Sequence, residues 1–313
     1  MKVAFQIEHP REVTITNSTL VIMEEAQKRG HDIYHFNPND LLHSHDSLHV
    51  MASKLVVDIK SQQFMTIKDR NKTDISEFDI VFIRQDPTFT TNMFGNLFLL
   101  GKHKHRTWMI NDPHSLLEAP EKLEFFGMEE HCPPTLMAND AGEIEKFWHE
   151  HGEIIIKPLF SYGGSGVFYL GKDSKNLRVT VETLFQLHKS ALVAQAFLPQ
   201  VCETGDKRVL LIFGEIAGAY SQTPKDRNIR ANICSGGTQI PCDLTTAEKE
   251  ISLKLAAILY EKGIYIAGLD LIGGYMTEVN VITPGGFFAM REIYNQFPEV
   301  MLWDKIEAHP KLR

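Results

Sequence analysis

Short apolar runs alternate with helical patterns from residue 1 to residue 118, and this alternation restricts the fold more than any other feature. The run at 3–7 suits a buried parallel strand. A helix is predicted from Asn17, a good N-cap, to Gly30, a good C-terminal stop. Further strands are predicted at 31–36, 78–84 and 107–111. Strand, helix and strand in that order imply a parallel sheet with helices on its faces.

The pattern becomes more mixed after residue 120. Helices are predicted to begin at Asp140 and at Thr245, each with a glutamate placed to complete a capping box. The stretch 207–223 predicts an antiparallel hairpin that turns at Gly214–Glu215, and the pair Gly273–Gly274 separates the last two strands. The other strands predicted in this part are 153–159, 167–170, 192–199, 265–272 and 275–281.

Composition and charge exclude several classes of protein. The net charge is -8, whereas a general nucleic-acid binder carries a basic excess. The N-terminus predicts a strand rather than a signal peptide, and no stretch approaches the roughly 18 apolar residues of a membrane span. The four cysteines form no CxxC pair. These features predict a cytoplasmic protein with reduced thiols that binds neither nucleic acid nor membranes.

Three oxygen-bearing side chains meet near the two-glycine turn. Asp270 lies on the strand before it, and Glu278 and Asn280 lie on the strand after it. Side chains at i and i+2 of a strand share a face, so Glu278 and Asn280 project together. A few carboxylates with phosphate oxygens and water suit Mg2+. The alternative is a solvated sheet edge, and it is disfavoured by the apolar residues of the opposite face, Leu269, Leu271, Val279 and Val281.

A phosphate site is predicted where Lys157 ends an apolar strand and the small-residue loop 162–166 follows. The chain has no GxGxxG after its first strand and no GxxxxGK[S/T], so the usual nucleotide fingerprints are absent from the sequence. A lysine ammonium and the N–H groups of a small-residue loop can hold phosphates. The alternative is an ordinary glycine-rich hairpin turn.

Two further groups of polar residues were weighed as sites. Arg208 opens a strand, and Arg230 and Asn232 follow in a polar stretch; arginine suits bidentate contact with phosphate or carboxylate, and surface solvation is the alternative. The histidines of LLHSHDSLH are predicted to lie in a solvated loop rather than in a metal site, because no nearby residues complete a zinc site; they are His43, His45 and His49.

Taken in order, these motifs resemble the ATP-grasp superfamily, and along nearly the whole chain they resemble bacterial glutathione synthetase. The matching stretches are FIRQDPTF (82–89), NDPHSLLEAPEKL (111–123), EIIIKPLFSYGGSG (153–166), VAQAFLP (193–199), GDKRVLLIFGE (205–215), IRANICSGG (229–237), GLDLIGGYMTEVNV (268–281) and REI (291–293). The resemblance implies an α/β (α+β) ATP-grasp fold with an N-terminal parallel α/β domain. The domains it implies are an N-terminal domain at 1–119, a central lid subdomain at 120–200 and a C-terminal subdomain with the metal site at 201–313.

The resemblance implies roles for the nucleotide side of the site. Two lysines resemble those that hold the ATP phosphates, Lys122 and Lys157. The loop that closes over the phosphates is matched by Tyr162, Gly163, Gly164, Ser165 and Gly166. The hinge that reads adenine is matched by Gln195, Ala196, Phe197 and Leu198, and the ribose contact by Asp206.

It also implies roles in chemistry and substrate binding. The ligands of Mg2+ (or Mn2+) are matched by Asp270, Glu278 and Asn280. The residues around the transferring phosphate are matched by Arg208, which also contacts ATP, and by Arg230 and Asn232. The acid substrate is expected near Ser18, Arg84, Gly285 and Gly286. Arg84 is predicted to pair with a substrate carboxylate, and the alternative is a structural ion pair with Asp86.

The activity implied is an ATP-dependent ligation in which the carboxylate of gamma-glutamylcysteine is phosphorylated and the amine of glycine attacks the acyl phosphate. The expected partners are therefore small molecules, and the protein is expected to be a homo-oligomer. The catalytic work is positioning and charge neutralisation in a site shielded from water.

The chain departs from the family on the acid side. Residues 16–19 replace a Lys-Asp-Ser-type stretch, Gln222 stands where arginine is common, and the loop 283–290 is longer. That loop, with Phe287 and Phe288, is expected either to narrow the acid pocket or to admit a different side chain. Two alternatives follow: a ligase for a different acid and amine, or a catalytically degenerate homologue that binds nucleotide, which the intact ATP-side residues disfavour.

Overall fold

Three β-sheets organise the chain in a computed structural model that describes residues 1–8, 17–61, 64–87, 89–223 and 238–312. The first sheet contains β1 (Lys2–Gln6), β2 (Asp32–Phe36), β3 (Leu41–Ser44), β4 (Ser47–Val57), β5 (Met65–Asp74), β6 (Ile80–Ile83) and β7 (Trp108–Ile110). Its strand order is β3-β4-β2-β1-β6-β7, with β5 paired to β4. The strands β2, β1, β6 and β7 run parallel, so the predicted parallel sheet is confirmed.

Three helices accompany this sheet: α1 (Ser18–Lys28), α2 (Thr91–His103) and α3 (Pro113–Glu118). The predicted start of α1 is confirmed, because the Asn17 side chain accepts the Thr19 N–H at 2.8 Å. Gly30 follows the helix with a φ of 83°, which a residue without a Cβ adopts easily.

The prediction of a solvated loop around His43, His45 and His49 is wrong, because this stretch forms a β-hairpin. The strands β3 and β4 pair antiparallel there, with Ser44 opposite Ser47 and His45 in the turn at a φ of 52°. The strand β4 buries alternate side chains, beginning with Leu48, Val50 and Ala52, so its inner face belongs to the core.

The second sheet is antiparallel and contains β8 (Thr135–Ala138), β9 (Ile154–Pro158), β10 (Phe168–Leu170) and β11 (Leu192–Ala196) in the order β10-β9-β11-β8. Two helices, α4 (Ala141–His151) and α5 (Leu177–His188), enclose a small core with it that includes Ile144, Ile156 and Val181. Asp140 caps α4 as predicted, since its side chain accepts the Glu143 N–H.

The third sheet follows the short helix α6 (Val201–Thr204) and is also antiparallel. Its strands are β12 (Asp206–Ile212), β13 (Glu215–Thr223), β14 (Thr238–Pro241), β15 (Ile266–Ile272) and β16 (Tyr275–Asn280), in the order β14-β13-β12-β15-β16. The helices of this part are α7 (Thr246–Glu261), α8 (Phe287–Tyr294) and α9 (Pro298–Ala308). Thr245 and Glu248 form the predicted capping box of α7.

The turns of the third sheet lie close to their predicted positions. Gly273 and Gly274 join β15 to β16 with φ values of 57° and 84°, the left-handed conformation that a two-residue hairpin turn requires. The other hairpin turns at Phe213–Gly214, one residue earlier than predicted.

The first and third sheets share their hydrophobic cores, whereas the second sheet has its own. Phe5 and Phe82 stack at a ring-centroid distance of 4.7 Å inside a cluster that also contains Leu210, Phe287 and Trp303. Within the described ranges no helix is both long and apolar enough to cross a membrane. The geometry leaves a cleft between the second and third sheets, and this cleft positions the candidate site.

Candidate functional site

Seven of the predicted nucleotide residues line one cleft between the second and third sheets: Lys157, Gly164, Gln195, Ala196, Phe197, Leu198 and Asp206. Its walls are formed by Ile155, Lys157, Gly164, Val167, Gln195, Ala196, Phe197, Leu198, Val201, Asp206, Asp270, Ile272, Thr277 and Glu278. The side formed by β9, β11 and the segments beside them is mostly apolar apart from Lys157, whereas β12, β15 and β16 supply the carboxylates Asp206, Asp270 and Glu278. An apolar pocket with a few converging charges is typical of a small-molecule site.

Two buried lysines lie at this cleft: Lys157 lines it, and Lys122 lies beside the cleft-lining Glu278. Lys157 Nζ donates to the Thr277 carbonyl at 3.1 Å and to Gln195 Oε1 at 3.3 Å. Lys122 Nζ donates to the Ser161 carbonyl and lies 3.9 Å from Glu278 Oε1. Burial lowers the pKa of Lys157, because no counter-ion fully replaces the water that its ammonium has lost. An anionic ligand would supply that compensation.

The small-residue loop lies beside the lysines and needs its glycines. Gly163, Gly164 and Gly166 have φ values of 63°, 73° and 72°. A Cβ on Gly166 would lie 2.7 Å from Pro158 Cγ, so a larger residue does not fit there. Ser165 donates its N–H to the Tyr162 carbonyl at 3.2 Å, and the Tyr162 side chain is exposed. The loop connects the antiparallel neighbours β9 and β10, as the alternative of a glycine-rich hairpin turn predicts, and its Gly164 also lines the cleft.

The Gln195–Leu198 stretch forms the edge of the cleft where β11 ends. The Gln195 side chain is buried and committed to the protein, because its Nε2 donates to Thr135 Oγ1 at 3.0 Å and its Oε1 accepts from Lys157. The Phe197 ring packs on Tyr169 at 4.8 Å. Asp206 lies nearby and is half-buried, but its Oδ1 is fully buried and has no hydrogen-bond partner among the described residues. Burial, with the nearby Asp270 charge, raises the pKa of Asp206 well above its usual range.

Asp270 is held by two neighbours on the same sheet. Both of its oxygens accept hydrogen bonds from Arg208, at 2.7 Å from Nη2 and by a shorter contact from Nε. Asn280 Nδ2 donates to Asp270 Oδ2 at 3.1 Å. Burial opposes the charge on Arg208, but the Asp270 carboxylate outweighs it and raises the pKa of Arg208. Asp270 is only 6% exposed, so the alternative of a solvated sheet edge is wrong at this position.

Glu278 differs from Asp270 in its environment. It stands opposite Asp270 in the strand register, its side chain is 22% exposed, and Lys122 is its ion-pair neighbour. The opposite face of these strands is buried as predicted, with Leu269, Leu271, Val279 and Val281 in the core. The structure therefore brings Asp270, Glu278 and Asn280 to one face of a hairpin.

The residues predicted for the acid substrate meet at the start of two helices. Arg84 donates from Nε to Thr19 Oγ1 at 3.1 Å and from Nη2 to the Pro284 carbonyl at 3.0 Å. Ser18 Oγ lies 3.9 Å from the position of a Cβ on Gly285. Gly286 caps α8 with a φ of 113°. Ser18, Arg84, Gly285 and Gly286 are thus neighbours, although they come from three distant segments.

Two expectations on the acid side are wrong. Phe287 is fully buried in the core at the start of α8, so it does not narrow a pocket, whereas Phe288 is half-buried and packs against the same core cluster. Arg84 makes no ion pair with Asp86, because its guanidinium bonds Thr19 and Pro284 instead. Burial lowers the pKa of Arg84 to about 9, since no carboxylate among the described residues compensates its charge.

Some candidates lie outside the site or outside the described residues. Arg230 and Asn232 fall in 224–237, which the structure does not describe. Two of the three histidines have neighbours outside the cleft: His43 Nδ1 lies 3.2 Å from His103 Nε2, and His49 Nε2 lies 3.9 Å from Asp74 Oδ2. Within the described part of the chain, no group of three or more His, Cys, Asp or Glu side chains has metal-binding geometry. The predicted metal ligands on β15 and β16 are two carboxylates, Asp270 and Glu278, and one amide, Asn280.

Sequence reasoning missed the groups that hold the lysines in place. The carbonyls of Ser161 and Thr277 accept from the two ammonium groups, and backbone acceptors leave no side-chain signal. Glu121 is also buried beside Lys122, and its Oε1 accepts two backbone N–H groups after β16. The one signal for Glu121 in the sequence is its position next to Lys122, a predicted phosphate-binding lysine.

Comparison with known families covers both parts of the chain. Residues 1–116 match the N-terminal domain of prokaryotic glutathione synthetase, and residues 121–296 match the ATP-grasp domain of prokaryotic glutathione synthetase. A glutathione synthetase of Agrobacterium fabrum is 35% identical over 307 residues, which cover 97% of this chain and 96% of that protein. One from Brucella melitensis is 35% identical over 310 residues, covering 98% and 99%.

Solved structures share the fold at low sequence identity. An ATP-grasp ligase complexed with Mg, ADP and a variant of its minimal precursor has a TM-score of 0.66 at 16% identity, covering 99% of this chain and 98% of that one. A D-alanyl-alanine synthetase A of Vibrio cholerae has a TM-score of 0.62 at 11% identity, covering 98% and 97%. These similarities confirm the predicted ATP-grasp fold. The chain is an ATP-dependent, ADP-forming carboxylate-amine ligase, and it belongs to the prokaryotic glutathione synthetase family.

Proposed function

We propose that this protein joins gamma-glutamylcysteine to glycine to make glutathione, with ATP bound in the cleft between the second and third sheets. The observation that carries the nucleotide site is the burial of Lys122 and Lys157 beside a glycine loop, facing Asp206 and Glu278. The full-length similarity to glutathione synthetases supports the choice of acid and amine.

The residues of the cleft fit a nucleotide with a divalent cation. Lys157 is buried without full compensation of its charge, and the buried Oδ1 of Asp206 has no partner among the described residues; a bound nucleotide would provide both. Glu278 and Asn280 present oxygens on one strand face, and Asp270 lies beside them. One or two carboxylates with phosphate oxygens and water are the usual environment of Mg2+, and Mn2+ has similar preferences.

Each group of residues has a proposed role. Lys122 and Lys157 bind phosphate oxygens as point charges, and residues 162–166 close over them and exclude water. Residues 195–198 contact adenine, and Asp206 contacts ribose. Asp270, Glu278 and Asn280 hold the cation, which when bound neutralises charge on the phosphates.

The acid side is proposed to be the pocket formed by Ser18, Arg84, Gly285 and Gly286. The buried positive charge of Arg84 lies directly beneath the 283–286 segment and attracts a substrate carboxylate to it. Arg208, with Arg230 and Asn232 from the segment outside the described residues, is proposed to stabilise the charge of the transferring phosphate. Residues 1–119, 120–200 and 201–313 are proposed as the three structural units that carry these parts.

The test is ADP release and product mass with ATP and Mg2+. The wild type should form the tripeptide only when gamma-glutamylcysteine and glycine are both present. Lys157→Gln should abolish the reaction, whereas Lys172→Gln, at an exposed position, should not change it.

Two results would replace this proposal. ATP consumption with a different acid and amine would indicate another carboxylate-amine ligase. ATP binding without amine-dependent ADP release would indicate a nucleotide-binding homologue that has lost catalysis.

A further inference from the structure

We propose that Asn111 and Glu121 are positioning residues. Glu121 bonds the backbone N–H of Val281 and Asn111 bonds its carbonyl, and together they set the positions of the metal-site residues and of the acid-binding segment. Val281 directly follows β16, which carries Glu278 and Asn280, and it precedes the segment 283–286. The proposal deepens the function proposed above and rests on it for the roles of those residues.

Glu121 holds one side of this peptide. Its Oε1 accepts the N–H of Val281 at 2.8 Å and the N–H of Ile282 at 3.0 Å. Its own carbonyl accepts the Val279 N–H at 3.0 Å. The next residue is Lys122, whose ammonium lies 3.9 Å from Glu278 Oε1. One two-residue segment therefore fixes the end of β16 and the lysine that faces it.

Asn111 holds the other side. Its Nδ2 donates to the Val281 carbonyl and to the Ile266 carbonyl, each at 2.7 Å. Its Oδ1 accepts the N–H groups of Tyr265 at 2.8 Å and Ile266 at 3.0 Å. The side chain is buried and uses all four of its hydrogen-bonding positions. Asn111 therefore ties Val281 to the beginning of β15, the strand that carries Asp270.

These side-chain contacts replace the backbone hydrogen bonds between β15 and β16 where the pairing of the two strands ends. The pairing of β15 with β16 ends at Gly268 opposite Asn280, and β16 is the last strand in the order of its sheet. Without further partners, the N–H and C=O groups of Val281 would be buried and unpaired, which is unfavourable. Both are instead satisfied by side chains that lie 170 and 160 positions away in sequence.

The same peptide leads to the acid side. Thr283 donates its hydroxyl to the Gln85 carbonyl, and the Pro284 carbonyl accepts from Arg84. A shift at Val281 would therefore move Asn280 on one side and the 283–286 segment on the other. A purely structural role predicts lower stability alone, whereas a positioning role predicts weaker cation and acid binding in the protein that remains folded.

The experiment compares Glu121→Ala and Asn111→Ala with Glu121→Gln, which keeps an acceptor oxygen. Glu118→Ala is the matched control, because Glu118 is exposed and ends α3 in the same segment. The binding readout is the affinity of a non-hydrolysable ATP analogue with and without Mg2+, and the kinetic readouts are kcat and the KM for the acid. Thermal melting reports the fold.

Both alanine variants should lose about tenfold or more of the Mg2+-dependent gain in analogue affinity and raise the KM for the acid, as is usual for residues that orient metal ligands. Glu121→Gln should recover most of both values, and Glu118→Ala should match the wild type. If Glu121→Ala does not fold, Glu121→Asp, which withdraws the carboxylate by one methylene, should show the same direction.

A lower melting temperature with unchanged Mg2+ dependence and unchanged KM would overturn the proposal. Failure of the proposed function is seen separately, because the wild type would then make no tripeptide. The analogue-binding measurement needs no turnover, so it still decides whether Asn111 and Glu121 position the cation site.

Discussion

Arg208 holds the Asp270 carboxylate through both of its oxygens, and the two residues lie side by side on β12 and β15. The pair is largely buried, with side-chain exposures of 15% and 8%. Asp270 is thus neutralised by an arginine that the chain itself supplies, whereas Glu278 remains partly exposed toward the cleft. The two carboxylates are therefore not equivalent, and substitution of each should have a different effect.

Asp270→Asn should destabilise the fold, because it leaves the Arg208 charge buried without its counter-ion. Removing one partner of a buried pair costs about 3–5 kcal/mol. Denaturant unfolding at constant pH measures the loss. Glu182→Gln is the control, because Glu182 pairs with Arg178 on the exposed face of α5 and such pairs contribute little. Equal effects of the two substitutions would contradict the buried-pair interpretation.

Glu278→Gln should instead lower turnover strongly with little change in stability. Glu278 is 22% exposed and its ion-pair neighbour Lys122 is 3.9 Å away, so the fold depends little on its charge. Loss of the Glu278 carboxylate should weaken binding of the cation, and activity should therefore recover in part at high Mg2+. ADP release across an Mg2+ titration, beside a thermal melt, checks this. Wild-type rates at limiting Mg2+ would remove Glu278 from the site, and Glu292→Gln, at an exposed position, is the control.

Arg84→Ala should raise the KM for the acid by about tenfold or more, since a charge-assisted interaction contributes about 1.5–3 kcal/mol. The affinity for ATP should not change, because Arg84 follows β6, bonds Thr19 of α1 and Pro284, and is not among the cleft-lining residues. Initial rates at varied gamma-glutamylcysteine, with ATP saturating, give the value. An unchanged KM would leave Arg84 with a structural role only.

Gly166→Ala should impair closure of the 162–166 loop and lower kcat. Gly166 has a φ of 72°, and an added Cβ would lie 2.7 Å from Pro158 Cγ, so the loop must move. Gly95→Ala is the matched control, because nothing lies within 4 Å of its Cβ position and alanine favours the helix. Hydrogen exchange of 161–166 with and without Mg-ATP should show protection in the wild type and less in Gly166→Ala. Equal protection in both proteins would argue against a closing role.

His103 predicts a dependence of stability on pH. Burial lowers the pKa of His103, and His43, Arg106, His105 and Lys102 add to the shift. The unfolded chain then binds a proton more readily, so the stabilisation is present above the ordinary value of 6.5 and is lost as the pH falls below it. His103→Phe should therefore lose less stability than the wild type between pH 7.5 and pH 5.5, a window set by about one unit on either side of that value.

Denaturant midpoints at the two pH values test this expectation. His149→Gln is the control, because His149 is exposed on α4 and is not among the groups that shift the pKa of His103. The same pH-dependent loss in His103→Phe and in the wild type would show that His103 does not contribute.

The local sequence determined much of the architecture. Asn17, Asp140 and Thr245 cap their helices as predicted, because capping depends on residues a few positions apart. The Gly273–Gly274 turn, with period-two alternation, placed Glu278 and Asn280 on one face. The β3–β4 hairpin was missed because its turn consists of His45 and Asp46, which are equally typical of a solvated loop.

Tertiary structure alone decided the contacts between distant segments. Arg208 and Asp270 are 62 positions apart, and Asn111 reaches Val281 across 170. No local pattern shows that Phe287 enters the core beside Trp303 rather than a pocket, because an apolar residue suits both. The sequence determines which groups are available and which face of an element they occupy. Packing determines which of these groups are buried next to one another, and that burial sets their pKa values and their hydrogen-bond partners.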